Sequence, residues 1–276
     1  MSSTPCIALT IAASDPSGGA GIQADLKAFS ANGAYGTAVL TALTAQNTLG
    51  VTGIHAVPAA FVAEQIDTLF ADVRVDAVKI GMLADAGIAA AVADALERYQ
   101  PRYVVLDPVM VSTSGHRLLE ADAVSVVRDR LLPLADLITP NLPEAGDLLG
   151  LAAVVNRTEA VEQAWALREA GARCVLLKGG HHTHDAESVD VLVDVADGPS
   201  GAGVVELSAP RVRTQNTHGT GCTLSAAIAA LRPQCDDWPT AVRAAKEYVT
   251  GALRAADTLR VGSGHGPVHH FYQYWS

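Results

Sequence analysis

Short apolar runs rich in β-branched residues alternate along the chain with longer stretches in which apolar positions recur every three or four residues. The first kind predicts buried strands and the second amphipathic helices. On this pattern residues 6–13 form a strand, 19–32 a helix ended by Gly33, 37–45 a strand, and 59–71 a helix entered after Pro58. The alternation continues with a strand at 76–80, a helix at 84–98, a strand at 103–106, a helix at 120–131 and a strand at 137–139. A helix opening at Pro140-Asn141 follows, then a helix at 158–170 and a strand at 174–177. Beyond that point the pattern loosens: 189–195 and 203–208 read as a hairpin, and helices at 219–231 and 238–257 close the chain. Repeated β-α units with right-handed crossovers imply an α/β fold, a mostly parallel sheet covered by helices on both faces. The 276 residues show no internal repeat or linker-like tract, so one domain over 1–276 is expected, with 181–203 as a surface excursion.

Composition narrows the partners. A content of 49% hydrophobic and 17% charged residues excludes wholesale disorder. Lys and Arg number 19 against 29 Asp and Glu, and the net charge of −10 repels phosphodiester backbones and anionic lipid alike. Nucleic acid and membrane are therefore not expected as partners. A phosphorylated small molecule remains open, because local backbone dipoles, a few lysines and a metal outweigh carboxylates screened over about 10 Å. Cys6, Cys174, Cys222 and Cys235 form no Cys-x-x-Cys pair, and neither a basic leader nor an apolar run of membrane-spanning length is visible. A reduced, cytoplasmic protein is expected. The sequon Asn156-Arg157-Thr158 then reads as incidental.

Ligands of open α/β sheets bind beyond the carboxyl ends of the strands, and the residues there are polar or glycine-rich. They are Ser14-Asp15-Pro16-Ser17-Gly18-Gly19-Ala20-Gly21, Thr44-Ala45-Gln46-Asn47-Thr48, Gly81-Met82-Leu83, Asp107-Pro108-Val109-Met110, Pro140-Asn141-Leu142-Pro143-Glu144, Lys178-Gly179-Gly180-His181 and Thr217-His218-Gly219-Thr220-Gly221-Cys222. In the last, two glycines aim successive N–H groups one way at the start of an apolar helix, which describes an anion hole, although Gly-Thr-Gly also serves a plain tight turn. Cys222 in the first turn is expected to gain acidity from the helix dipole; otherwise it is a small buried cysteine. Asp25, one turn into the first helix, is a carboxylate facing a ligand or a solvated helix position. Gln46 offers a donor and an acceptor side by side, which match an aminopyrimidine edge or cap a turn. Asp107 suits Mg²⁺ or its waters, or a turn. Asn141 and Glu144 share a helix face, and their spacing favours an N-cap with its capping-box partner. Lys178 can reach phosphate as a point charge. His181, His182, His184 and Asp185 could bind a transition metal, but they and His269-His270 are expected to be solvated. No P-loop, Gly-x-Gly-x-x-Gly, His-Glu-x-x-His or Gly-x-Ser-x-Gly pattern occurs.

Together, Gly18-Gly19-Ala20-Gly21-Ile22-Gln23-Ala24-Asp25, Ala45-Gln46-Asn47-Thr48, Lys79-Ile80-Gly81-Met82-Leu83, Thr139-Pro140-Asn141-Leu142-Pro143-Glu144-Ala145, Leu177-Lys178-Gly179-Gly180-His181 and Asn216-Thr217-His218-Gly219-Thr220-Gly221-Cys222 closely resemble one family. It is the hydroxymethylpyrimidine/phosphomethylpyrimidine kinases of thiamine biosynthesis, within the ribokinase-like superfamily, and the resemblance runs from about residue 7 to Gly266-Pro267-Val268-His269-His270-Phe271. It implies a ribokinase-like three-layer α/β/α fold, a homodimer, and use of ATP with Mg²⁺, and it leaves room for a monovalent cation. The implied reactions phosphorylate 4-amino-5-hydroxymethyl-2-methylpyrimidine and then its monophosphate. By the same resemblance Gln46 reads the pyrimidine, with Asp25, Ala20 and Met82 completing the pocket. Asp107, Asn141 and Glu144 organise ATP, with Asp107 and Glu144 holding Mg²⁺ through water, and Lys178 contacts phosphate. Gly219, Thr220, Gly221 and Cys222 hold the transferred group, Cys222 standing where sugar kinases carry an aspartate base. Thr113 and Gln215 depart from the basic residues many members carry, which bears on phosphate grip by the 111–117 lid. Competing readings are a pyridoxal kinase, which shares the fold, and a pyrimidine-binding protein without turnover.

Overall fold

The computed structural model describes residues 4–111, 121–152, 154, 156–180, 187–194 and 203–275. Its elements run β1 (Cys6–Ala12), α1 (Gly21–Ala31), β2 (Ala34–Leu40), β3 (Ala42–Asn47), β4 (Gly50–Ala56), α2 (Ala59–Phe70), β5 (Ala77–Ile80), α3 (Ala86–Tyr99) and β6 (Val104–Leu106). Then come α4 (Ala121–Val126), β7 (Leu137–Ile138), α5 (Leu142–Leu149), α6 (Arg157–Glu169), β8 (Cys174–Leu177), β9 (Glu187–Val193), β10 (Val204–Pro210), α7 (Thr220–Leu231) and α8 (Trp238–Arg254). The main sheet has the order β10-β9-β8-β7-β6-β5-β1-β2. Neighbours from β2 to β8 are parallel, and β9 and β10 add the expected antiparallel hairpin at the far edge.

Strand side chains alternate between two apolar layers. Leu9, Ile11, Val78, Ile80, Val104 and Leu106 pack with residues of α2 to α6, whereas Ala8, Ala77, Val105, Leu137 and Leu176 pack with α1, α7 and α8. This is the three-layer α/β/α arrangement. Local signals set several helix starts: the Asp85 carboxylate accepts from the Ile88 N–H at 2.8 Å to open α3, and Asp237 does the same for Thr240 at 2.8 Å to open α8. Asn156 caps α6 through Glu159 N–H at 3.0 Å, so its side chain already has a structural task.

Three expected elements differ. The strand at 37–45 is two strands, because the chain breaks away at Thr41, whose hydroxyl donates to the Met82 carbonyl at 2.6 Å. From there β3 leaves the main sheet and pairs antiparallel with β4. The pattern hid β4 because all of 52–56 is exposed, so no face alternates. The helix at 120–131 stops being regular at Val126: residues 127–131 widen into a π-turn and 132–134 tighten into a 3₁₀ turn. Pro133 accounts for this, since in a regular helix its ring would press on the carbonyl of residue 129. The helix at 238–257 ends at Arg254, followed by a 3₁₀ turn at 256–258.

Candidate active site

The segments beyond β1, β5, β6, β7 and β8 converge with the N-terminus of α7 around a cavity of about 750 Å³. At one end lie the anion-binding groups. Gly219 caps α7 with φ of +74°, and a side chain there would run into the Gly19 carbonyl, so this approach requires glycine. A methyl group on Gly221 would stand 3.3 Å from Lys178 Nζ and 3.8 Å from Asp107 Oδ2, so the helix N-terminus faces both charges. Lys178 Nζ donates to Asp107 Oδ1 at 2.9 Å and lies 3.7 Å from Glu144 Oε2. Thr139 donates to Asp107 Oδ1 at 3.0 Å. Burial alone would raise the Asp107 carboxyl, but Lys178 and Lys79 outweigh it and hold it below the usual carboxylate range. Glu144 moves the other way: burial pushes it up, and the Asp107 charge adds to that.

Asn141 and Glu144 form the capping box: Glu144 N–H donates to Asn141 Oδ1 at 2.9 Å, and Asn141 N–H donates to Glu144 Oε2 at 2.8 Å. Both line the cavity, so the cap also aims the Glu144 carboxylate at Lys178. Two carboxylates share one ammonium here, Asp107 at 2.9 Å and Glu144 at 3.7 Å from Lys178 Nζ, so its single positive charge does not match both. That fits Mg²⁺, which keeps several waters and needs one or two carboxylates plus substrate phosphate. Among the described residues no group of three His, Cys, Asp or Glu is arranged to hold a metal by itself.

At the other end Gln46 sits at a bulge in β3. Its amide spans Thr44 Oγ1, 3.1 Å away, and His218 Nε2, 3.4 Å away. Ala20 and Met82 line the cavity beside it. Asp25 does not. Its carboxylate is fully buried, accepting from Thr10 Oγ1 at 2.6 Å and from Lys79 Nζ at 2.8 and 2.9 Å. The expected ligand-facing or solvated carboxylate is an internal ion pair, because β5 places a lysine opposite Thr10 beneath α1. Burial alone would lower the Lys79 ammonium, but Asp25 outweighs it and holds the charge in place.

Cys222 also departs from expectation. Burial pushes its thiol up to about 11, and the Asp25 and Asp107 charges add to that against the lowering by Lys79 and the Gly21 N–H that bonds to it. His269 and His270, expected in solvent, are only 6% and 4% exposed, tucked under α7 and α8; His270 Nε2 lies 3.0 Å from Thr223 Oγ1. Thr113 and the His181, His182, His184, Asp185 group lie outside the described residues. Gln215 borders an open cleft with Arg213, Asn216 and Asp257.

Sequence reasoning assigned no side-chain role to Lys79, Asp15, Thr44 or His218; the last three line the cavity, and Lys79 lies fully buried directly beneath its lining. A lysine inside an otherwise apolar central strand was a usable signal for Lys79. His218 Nε2 and Asp15 Oδ2 meet at 2.7 Å across 203 residues of sequence, a contact with no local trace.

The family model described as phosphomethylpyrimidine kinase matches residues 15–269. The hydroxymethylpyrimidine/phosphomethylpyrimidine kinase of Escherichia coli (strain K12) is 54% identical over 268 residues, 97% of this chain and 98% of that protein. A thiamine biosynthesis bifunctional protein of Geobacter sulfurreducens is 52% identical over 262 residues, covering 95% of this chain and 51% of that protein. A crystal structure of Bacillus subtilis pyridoxal kinase with ADP superposes with a TM-score of 0.88 at 34% identity, over 99% of this chain and all of that one.

Proposed function

The chain belongs to the phosphomethylpyrimidine kinase family, and we propose that it carries out ATP-dependent phosphorylation of 4-amino-5-hydroxymethyl-2-methylpyrimidine and then of its monophosphate, supplying the pyrimidine half of thiamine diphosphate. The observation that carries this reading is a single cavity with an amide-lined end at Gln46 and Met82 and an anion-binding end at Lys178 and the α7 N-terminus. A neutral-ring binder would need only the first.

Gln46 pairs with the ring, while Ala20 and Met82 flank it. Lys178 and the N–H groups of Gly219, Gly221 and Cys222 hold the phosphoryl group where negative charge gathers, while the Thr220 N–H closes the turn onto the Thr217 carbonyl at 3.3 Å. Phosphoryl transfer passes through a loose transition state, so positioning and charge stabilisation carry most of the rate. Cys222 accordingly acts as a neutral thiol lining the hole rather than as a ready base, consistent with a thiol pushed up to about 11. Asp107 and Glu144 hold Mg²⁺ through water, and the metal neutralises charge on the triphosphate when bound. The nucleotide base is accommodated by the apolar part of the cavity lining that Pro210, Val212, Val249 and Leu253 supply.

The chain works as a single kinase domain and as a homodimer. Tyr35, Leu43, Leu49, Ile54 and Phe61, on β2, the β3–β4 hairpin and α2, are 43–69% exposed, and a second copy would cover such an apolar set. Sedimentation at micromolar concentration should give a dimer, and a monomer would refute it. Cys6, Cys174, Cys222 and Cys235 are all reduced thiols, which accords with a cytoplasmic setting, and no helix among the described residues is long and apolar enough to cross a membrane. The backbone likeness to pyridoxal kinase favours pyridoxal as a second substrate. ATP-to-ADP turnover with both pyrimidines and pyridoxal in parallel tests the assignment: preferred turnover of the pyrimidines supports it, and turnover of pyridoxal alone overturns it.

A further inference from the structure

We propose that His218, held by Asp15, decides which way round Gln46 presents its amide, and thereby which ring edge the site accepts and where the hydroxymethyl group points. The inference rests on the kinase reading above, with Gln46 as the residue that meets the ring.

The hydrogen bonds leave one consistent arrangement. The Asp15 carboxylate accepts from Ser17 N–H at 2.9 Å, Ser17 Oγ at 2.7 Å and Ala20 N–H at 2.8 Å, and His218 Nε2 completes it at 2.7 Å. Surrounded by donors, this carboxylate is ionised, and the imidazole proton sits on Nε2 pointing at it. Nε2 therefore has no lone pair to offer Gln46, so the amide end 3.4 Å away, placed in the structure as the NH₂ group, must be the carbonyl oxygen, with the amide turned over. The other end gives the same answer independently. Thr44 has one hydroxyl proton, and it goes to the Ser14 carbonyl at 2.9 Å, a group that can only accept. The hydroxyl thus turns a lone pair toward Gln46 at 3.1 Å, where the structure places Oε1, and this contact too requires the turned amide with its NH₂ there. The two ends of a glutamine amide have nearly the same shape, so hydrogen bonds decide between them. Here both say carbonyl toward His218 and NH₂ toward Thr44.

This polarity has a chemical consequence. An aminopyrimidine pairs its 4-amino group with the carbonyl and its ring nitrogen N3 with the NH₂. The amine then lies on the His218 side. Carbon 5 is the next ring atom beyond the amine, so the hydroxymethyl group it bears projects past His218 toward Gly219 and the α7 N-terminus, where phosphate is held. The opposite amide orientation would turn the hydroxymethyl group toward Ser14 and Thr44, away from the transferred phosphate. Gly19 packs directly against the His218 ring, which keeps the imidazole from swinging out. His218 is thus a positioning residue acting through Gln46.

The test compares kcat/KM for the hydroxymethylpyrimidine and for the same ring lacking the 4-amino group, using the full-length protein. Wild type should prefer the amino compound by about 10²-fold, the size expected when a buried polar partner is left unpaired. In His218→Leu the preference should fall below about tenfold, with KM for the pyrimidine raised and KM for ATP unchanged. His218→Gln, whose amide nitrogen can stand near the place of Nε2, should recover most of the preference. In a Gln46→Ala background His218→Leu should change the ratio no further. A merely structural histidine would lower both substrates in parallel and keep the ratio, and that result overturns the proposal, as does a wild-type ratio near one. Should His218→Leu fail to fold, Asp15→Asn asks the same question: it frees the imidazole to accept, and an unchanged ratio there also overturns the proposal. A wild type that phosphorylates neither pyrimidine but does turn over pyridoxal overturns the kinase reading itself, and this inference with it.

Discussion

Replacing Lys79 by methionine keeps the length of the side chain and removes its charge, leaving the Asp25 carboxylate fully buried with Thr10 as its remaining short hydrogen-bond donor. Both partners have no exposed side-chain surface, so water cannot take over the lost contacts at 2.8 and 2.9 Å. Breaking a buried ion pair from one side costs about 3–5 kcal/mol, whereas replacing both partners by apolar groups is often near neutral. Lys79→Met should therefore lose about 3–5 kcal/mol, and Asp25→Leu/Lys79→Met should recover most of it, less about 1 kcal/mol for the stranded Thr10 hydroxyl. For a chain of this size that single-variant loss corresponds to a drop of roughly 6–20 °C in Tm. Urea unfolding followed by far-UV circular dichroism at pH 7 measures both variants against wild type. Added salt should alter the difference little, because a buried pair is poorly screened. Acidification should narrow it, since the uncompensated carboxylate in Lys79→Met has a raised pKa and is relieved as pH falls through that value. A Lys79→Met variant within 1 kcal/mol of wild type, or a double variant no more stable than the single, would refute the reasoning.

Burial lowers the His270 imidazole from 6.5 to about 3, so as pH falls from 6.5 toward 3 the unfolded chain takes up a proton that the folded one refuses. Stability should decline at about 1.4 kcal/mol per pH unit in that window, and His270→Gln should lose about 2 kcal/mol less than wild type between pH 7 and pH 5; identical pH profiles in denaturant titrations would contradict this. Cys222→Ser should keep kcat within about tenfold, with no thiol inflection in kcat/KM between pH 6 and 9, because the role is that of a neutral lining group. An inflection near pH 8 that vanishes in the variant would instead make Cys222 a base. Lys178→Met should lower kcat by about 10²–10³-fold while leaving KM for the pyrimidine nearly unchanged. A rise in that KM with kcat intact would place Lys178 outside the phosphoryl path.

Features that depend on short range were legible in the chain. Short apolar β-branched runs and period-3.6 apolar patterns named the parallel strands and their helices, the runs at 189–195 and 203–208 named the β9–β10 hairpin, and the Asn141–Glu144 spacing announced the capping box that the structure contains. The motif set from Gly18 to Cys222 was enough to identify the family, since it records backbone shapes that glycines and caps dictate locally. Tertiary structure alone decided which polar groups lose water and which charges meet. Asp25 reads as a helix carboxylate until Lys79, 54 residues away, is laid against it. Cys222 was balanced between a helix dipole, which contributes fractions of a kcal/mol at exposed termini, and desolvation, which can move a buried group by several pKa units. The second prevailed, with the Asp25 and Asp107 charges raising the thiol further. His218 gained its role from Asp15 and Gln46, which reach it only when the ends of β1, β3 and α7 converge. Local sequence specifies backbone conformation; the burial that sets charge, proton position and hydrogen-bond direction is a property of the whole fold.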